Sequence, residues 1–286
     1  MSRSARLAAA GALALAVAAW LATAAAADKH GPAPGVALGR PGVVAQDGSV
    51  RYLARPTGSS TAVVALDRDG AVLRRTSLPG RFGVPRVAYD GSTAGLSHDG
   101  RTLVLAVPTP VRSPRAVSRF AVLDARTGSL RRLLELRGSW SFDALSPGGA
   151  SLYLVEYVPG DARYRVRRYD LTRGRLLREA VVDPRRGGRS MAGEPVTRLD
   201  GPGGVWAYTL YRKPGGVPFI HALNTRTARA LCIELPWATA QDGLWSVRMA
   251  VVRGGRALEL RQPGVGRLAL VDTRAFSVRE LARPQS

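Results

Sequence analysis

The sequence predicts an all-β chain built from about five four-stranded antiparallel units, and three observations carry that reading. A turn signal, an Asp-Gly or Gly-Gly pair, recurs at Gly48, Gly100, Gly149, Gly204 and Gly255, with intervals of 49 to 55 residues. A second marker, a polar residue closing an apolar run, keeps step with it at Asp67, Asp124, Asp170, Asn224 and Asp272. Between the markers lie short stretches rich in β-branched, aromatic and leucine residues, and nothing after residue 27 sustains a helical period.

Each marker has a local physical role. Asp-Gly and Gly-Gly pairs supply the positive φ angles that tight hairpin turns need. An Asp or Asn at the end of the third strand accepts hydrogen bonds from N–H groups of the turn that follows. The units fall near residues 43–80, 82–137, 138–182, 194–236 and 244–281. A four-stranded unit of about 50 residues cannot bury both of its faces alone, so neighbours must stack around an axis. The expected architecture is therefore a β-propeller of about five blades, forming one domain over 43–286.

The segments Leu96-Ser97-His98-Asp99-Gly100-Arg101-Thr102-Leu103 and Val122-Leu123-Asp124-Ala125-Arg126-Thr127-Gly128 resemble the repeat units of YVTN-type and WD-like bacterial propellers. The resemblance spans roughly residues 43–281 and implies the fold alone, because such propellers include binding scaffolds and enzymes. The Trp-Asp and Gly-His signatures of true WD repeats are absent, so that family's partners do not carry over.

Residues 1–27 read as a signal peptide. Arg3 and Arg6 precede an apolar run over 7–21, and Ala24 to Ala27 offer small-residue cleavage sites. An uncleaved membrane anchor is the alternative, since 7–27 is long enough to span a bilayer. Residues 28–42 form a Pro/Gly-rich leader. The expected location is secreted or extracytoplasmic, with membrane contact only through the N-terminal segment if it is retained.

The formal charge of +21 falls to +19 without Arg3 and Arg6. Such a charge raises the question of nucleic acid. Export argues against it, and so does the scatter of the arginines over every unit; Lys29 and Lys213 are the only lysines. The single Cys232 excludes an internal disulfide, and its neighbours Leu231, Ile233 and Leu235 mark it as a packed strand thiol.

With strands A to D running outward in each unit, the A–B and C–D turns share one face and the B–C and D–A connections share the other. The second set is long: 107–118, 156–164 and 211–219, with 82–94, 137–143, 183–195 and 236–246. Long loops on a rigid scaffold are where function gathers. They carry the expected binding residues Trp140, Asp143, Glu156, Arg185, Arg186, Arg189, Glu194, Trp237, Asp242 and Trp245. A mixed-charge rim with tryptophans suits a sugar polymer or an acidic peptide through stacking and bidentate Arg contacts, and the expected partner is a protein or an anionic envelope polymer. Paired carboxylates such as Asp143 and Glu194 raise an alternative, an enzyme acting on a carbohydrate or lactone. His30, His98 and His221 lack metal-ligand spacing, and there is no nucleophile elbow or phosphate-binding loop; no metal, cofactor or catalytic residue is assigned. The expected function is an exported binding module at the cell envelope that works through its long-loop face.

Overall fold

The computed structural model describes residues 35–108, 117–158, 163–185 and 190–285. The signal segment and most of the leader, together with Arg186 and Arg189, lie outside them. The described chain's regular structure is almost entirely β-strand. Strand β1 (Gly35–Ala37) belongs to the expected leader and pairs antiparallel with β6 (Val84–Arg86). The first sheet holds β2 (Val43–Val44), β3 (Arg51–Thr57), β4 (Ser60–Leu66) and β5 (Val72–Pro79). The second holds β7 (Thr102–Ala106), β8 (Val117–Asp124) and β9 (Leu130–Arg137). The third runs β10 (Trp140–Leu145), β11 (Ser151–Tyr157), β12 (Tyr164–Asp170) and β13 (Arg175–Val181). The fourth runs β14 (Glu194–Asp200), β15 (Trp206–Arg212), β16 (Phe219–Asn224) and β17 (Arg229–Glu234). The fifth runs β18 (Arg248–Val252), β19 (Ala257–Gln262), β20 (Gly266–Asp272) and β21 (Val278–Glu280).

Four sheets therefore have the expected four strands in sequence order, and the second has three. Its inner position is held by isolated bridges, Leu96 with Leu103 and Gly83 with Ala106. The chain before it is drawn toward the axis instead: Tyr89 and Asp90 donate their N–H groups to the carbonyls of Pro195 and Val196, at 2.9 and 3.1 Å.

Both repeated markers do the work that the sequence assigns to them. Gly149 has φ +71°, and a Cβ there would collide with Thr102 of the preceding sheet, so the position requires glycine on two counts. Asp124 Oδ1 accepts the N–H groups of Arg126 and Thr127, each at 2.9 Å. Asp170, Asn224 and Asp272 repeat that pattern, and Asp67 accepts from Asp69 and Ala71.

Alternation along the strands gives most sheets two apolar faces. In the second, Leu103, Leu105 and Leu123 pack toward the first sheet, while Val104, Phe120 and Val122 pack toward the third. Tyr153 and Val166 meet Ala207 and Leu223 between the third and fourth. Leu210 and Ile220 meet Leu258, Leu260 and Val271 between the fourth and fifth. Among the described residues no apolar cluster joins the fifth sheet to the first; Leu53, Val64 and Leu66 form a small cluster of their own.

The turn carboxylates make stability depend on acid. A hydrogen bond from Arg131, then the Thr127 N–H, holds Asp124 at about 2, against an ordinary value of 3.8. Asp170 and Asp272 are lowered mainly by turn N–H groups. A lowered folded-state pKa gives stability that is complete above the unfolded value and is lost as pH falls through the folded one. The thermal midpoint should drop steeply between pH 4 and 2. Asp124→Asn, which copies the fourth unit's Asn224, should make that fall shallower in melting curves recorded across the range.

Candidate functional site

The inner strands β10 and β14 build the centre of the site, and each is broken by a bulge. The register of β10 against β11 shifts between Phe142 and Ala144, at Asp143, and that of β14 against β15 shifts between Pro195 and Thr197. Bulges re-aim side chains. Asp143 turns toward the fourth sheet and meets Arg198 of β14, whose Nη1 donates to both Asp143 O and Oδ1 at 3.0 Å. Arg198 Nη2 also reaches Asp200 Oδ1 at 3.3 Å. The pair is almost dry, with side chains 4% exposed for Arg198 and 7% for Asp143. Burial pulls the Arg198 pKa down, but the charges of Asp200 and Asp143 more than offset this and raise it.

Several buried polar atoms around this pair have no hydrogen-bond partner: Asp143 Oδ2, Arg198 Nε, Tyr164 Oη and both ring nitrogens of His221. Burial lowers the His221 pKa, so its imidazole is neutral at pH 7. Burial pushes Tyr164 well up, and the adjacent Tyr211, whose ring stacks at 5.8 Å, adds to the shift.

Above Asp143 a narrow cleft opens on the long-loop face, with about 40 Å³ of free space. Its walls include Arg86, Tyr89, Phe142, Tyr157, Tyr164 and Tyr211. On the turn face, a second cavity of about 230 Å³ reaches the other side of Arg198 and includes Thr93, His98 and Asp200.

The rim beside the cleft is a second cluster. Arg212 pairs with Glu194 at 2.9 Å and with Asp242 at 2.8 Å, and its guanidinium lies 5.6 Å from the centre of the Trp245 ring. Trp245 in turn meets Tyr89 edge-on at 5.3 Å. Asp90 lies 4.0 Å from Arg248 on the fifth sheet.

Of the residues expected from sequence, the structure gathers Asp143, Glu194, Asp242 and Trp245 around this cleft and rim. The others go elsewhere. Trp140 is the first residue of β10 and not a loop residue; it is buried, and its indole N–H donates to Arg137 O. Trp237 is also buried, with its N–H on Glu280 Oε1 at 3.0 Å. Glu156 alternates away from the cleft-lining Val155 and Tyr157, toward Arg165 and Arg167. Arg185 folds back onto Asp183, a buried carboxylate that also accepts the Cys232 N–H at 2.8 Å. Burial alone would push Asp183 up, but these donors hold it at about 2. Arg186 and Arg189 lie outside the described residues. The sequence reading missed Arg198, inside β14, and Tyr164 and Tyr211, at the long-loop ends of β12 and β15; all three become notable only through partners on other strands.

Arg198→Met would leave the Asp143 carboxylate buried without its partner and should cost about 3–5 kcal/mol in urea unfolding, with Asp143→Leu/Arg198→Met recovering most of the loss. Trp237→Ala should cost a similar amount by opening a core cavity. Trp245→Ala, at a partly exposed position, should cost clearly less.

No family model matches the chain, and no curated protein matches it significantly. Solved structures do match. A puromycin hydrolase is 18% identical over 89% of this chain and 40% of its own, with a TM-score of 0.50. A β-propeller domain from Myceliophteria thermophila is 12% identical over 81% of this chain and 63% of its own, with a TM-score of 0.46. TolB from Acinetobacter baumannii is 16% identical over 83% and 53%, with a TM-score of 0.43. The chain thus spans about half the length of several proteins it resembles, and the likeness is one of fold: that of WD-like and TolB-like propeller repeats.

Proposed function

We propose that this protein is an exported β-propeller, its five sheets forming five blades, and that its long-loop face binds a protein partner at the cell envelope. The observation that carries this reading is the rim cluster. Arg212 at the end of β15 holds Glu194, Asp242 and Trp245, which come from the start of β14 and the 235–247 connection, while Tyr89 arrives from the 80–94 connection. Four chain segments fix one aromatic and charged surface before any partner arrives, which lowers the ordering cost of binding. Tyr, Trp and Arg are also the residues that most often anchor interfaces. The apolar N-terminal run supports export.

A protein partner fits this surface better than an anionic polymer does. Arg212 is shared by two carboxylates, as is Arg198 below it, so each guanidinium sits in a group of net charge −1 on a chain of +21. The arginines that would attract a polyanion are spread elsewhere. The enzyme alternative is weakened by the same pairs. A glycosidase keeps one carboxyl protonated as its general acid, whereas Asp143, Glu156, Glu194 and Asp242 each have an arginine partner.

The test is capture of partners from purified envelope fractions at rising salt, with Trp245→Ala and Glu194→Ala run alongside. Saturable capture of a protein should survive moderate salt, and Trp245→Ala should weaken it about tenfold or more, the loss expected of an interface anchor. Capture that vanishes with salt and ignores both changes is adhesion by net charge and would refute the reading; retention of a wall polymer alone would replace the protein partner with a polyanion.

A further inference from the structure

We propose that the inner end of the tyrosine cleft receives a primary ammonium group of the partner, with Asp143 as counter-ion and tyrosine rings as walls. This rests on the binding function proposed above and names the chemistry that the face selects.

The need for a donor comes from Asp143. Its Oδ1 is engaged by Arg198, but Oδ2 is buried with no partner although the residue lines the cleft. A charged acceptor left unmatched in a dry site is costly, more so than a neutral one. The sign of the donor's charge comes from the surroundings. Arg198 is divided between Asp143 and Asp200, so the group carries −1, and His221 behind it is neutral and adds no positive charge. An incoming ammonium is matched by this group, and Arg86 at the same cleft calls for an acceptor on the same ligand.

The walls suit the same choice. Tyr89, Phe142, Tyr157, Tyr164 and Tyr211 all border the cleft, and aromatic faces attract a desolvated cation through their quadrupoles. Tyr164 Oη adds a polar atom that can accept from an ammonium, which has three donors to place. Size sets the limit. The cleft's 40 Å³ exceeds the roughly 10–15 Å³ that one water needs, and it admits an ammonium head with its first carbon. Arg86 stands at the cleft without an ion pair among the described residues. It is placed to take a carbonyl or carboxylate of the same ligand, which an amino-terminal residue or a lysine-bearing segment provides.

Three probes test this by calorimetry on the full-length protein: the peptide Ala-Ala-Phe amide, its N-acetylated form, and N-acetyl-lysine methylamide. Saturable binding of at least one free-amine probe is expected, and acetylation should weaken the peptide at least tenfold if the group recognised is an amino terminus. Preference for the lysine probe would instead assign the ammonium to a side chain. Asp143→Asn should lower affinity for the amine at least tenfold, and Tyr164→Phe should lower it severalfold. Should Asp143→Asn fail to fold, Tyr164→Phe, which removes one hydroxyl, carries the test.

Equal binding of the free and acetylated peptides, with no lysine binding, would overturn the inference. So would silence of all three probes while the rim still captures its partner, since the cleft would then hold water only and the binding function would stand. Loss of amine binding together with loss of capture in the wild-type protein would overturn both.

Discussion

Face-to-face burial between successive sheets is the constraint on which the rest of the structure depends. The second, third and fourth sheets each present apolar side chains on both surfaces, because alternate residues of one strand belong to different clusters: Leu103 and Leu105 to one, Val104 and Ala106 to the next. Leu152 and Leu154 likewise face the second sheet while Tyr153 faces the fourth. No such sheet is stable by itself, and each leucine-sized side chain buried this way contributes about 1.5–3 kcal/mol. Stacking in chain order also sorts the connections. It sends every A–B and C–D turn to one face and every longer connection to the other, so residues from four connections or strand ends meet around one axis.

Within that apolar stack the Arg198–Asp143 pair is the polar exception, and it occupies the boundary between the third and fourth sheets. A buried pair of this kind seldom adds net stability, since the desolvation of both ions consumes most of what their attraction returns. What it adds here is position. Arg198 Nη1 bonds both the backbone carbonyl and the carboxylate of Asp143, so it fixes the bulge that turns that carboxylate out of the ladder. The Arg198 side chain also borders the wider cavity on the turn face. The ion pair thus joins a carboxylate of the narrow cleft to the wall of the wider cavity.

The fold was legible because its signals are local. Asp124 and Asp272 cap turns within three residues of themselves, and a Gly with positive φ needs only its own turn to explain it. The site was legible only in part, for the opposite reason. Glu194, Asp242 and Trp245 lie close to strand ends, where sequence order predicts a position on the long-loop face. Trp140 was misplaced because β10 starts three residues before the expected end of its connection, and that shift turns an apparent loop residue into core. Arg198 and Asp143 are 55 residues apart, and nothing in either neighbourhood announces the other. Tyr164 and Tyr211 look like ordinary strand aromatics until two strands from different sheets bring their rings together.

The ends of the stack differ from its interior, and the difference explains the diversion of the second unit's first strand. The outward face of the fifth sheet carries Glu259 between Arg261 and Arg267, a polar arrangement where the inner interfaces are apolar. The outward cluster of the first sheet is small. Four apolar interfaces among five sheets make an array whose cooperativity passes from neighbour to neighbour, and such an array needs a tie across its middle if its two halves are to hold one geometry. The 80–94 connection supplies that tie. It bonds the backbone of β14 through Tyr89 and Asp90, hydrogen-bonds Gly42 O near the first sheet through the Thr93 hydroxyl, and touches the fifth-sheet side through Trp245 and Arg248. Giving up one edge strand in the second sheet removes a few ladder hydrogen bonds, each with a net worth of about 1 kcal/mol. In exchange, one segment links the first, fourth and fifth sheets and places Tyr89 where the cleft and the rim meet.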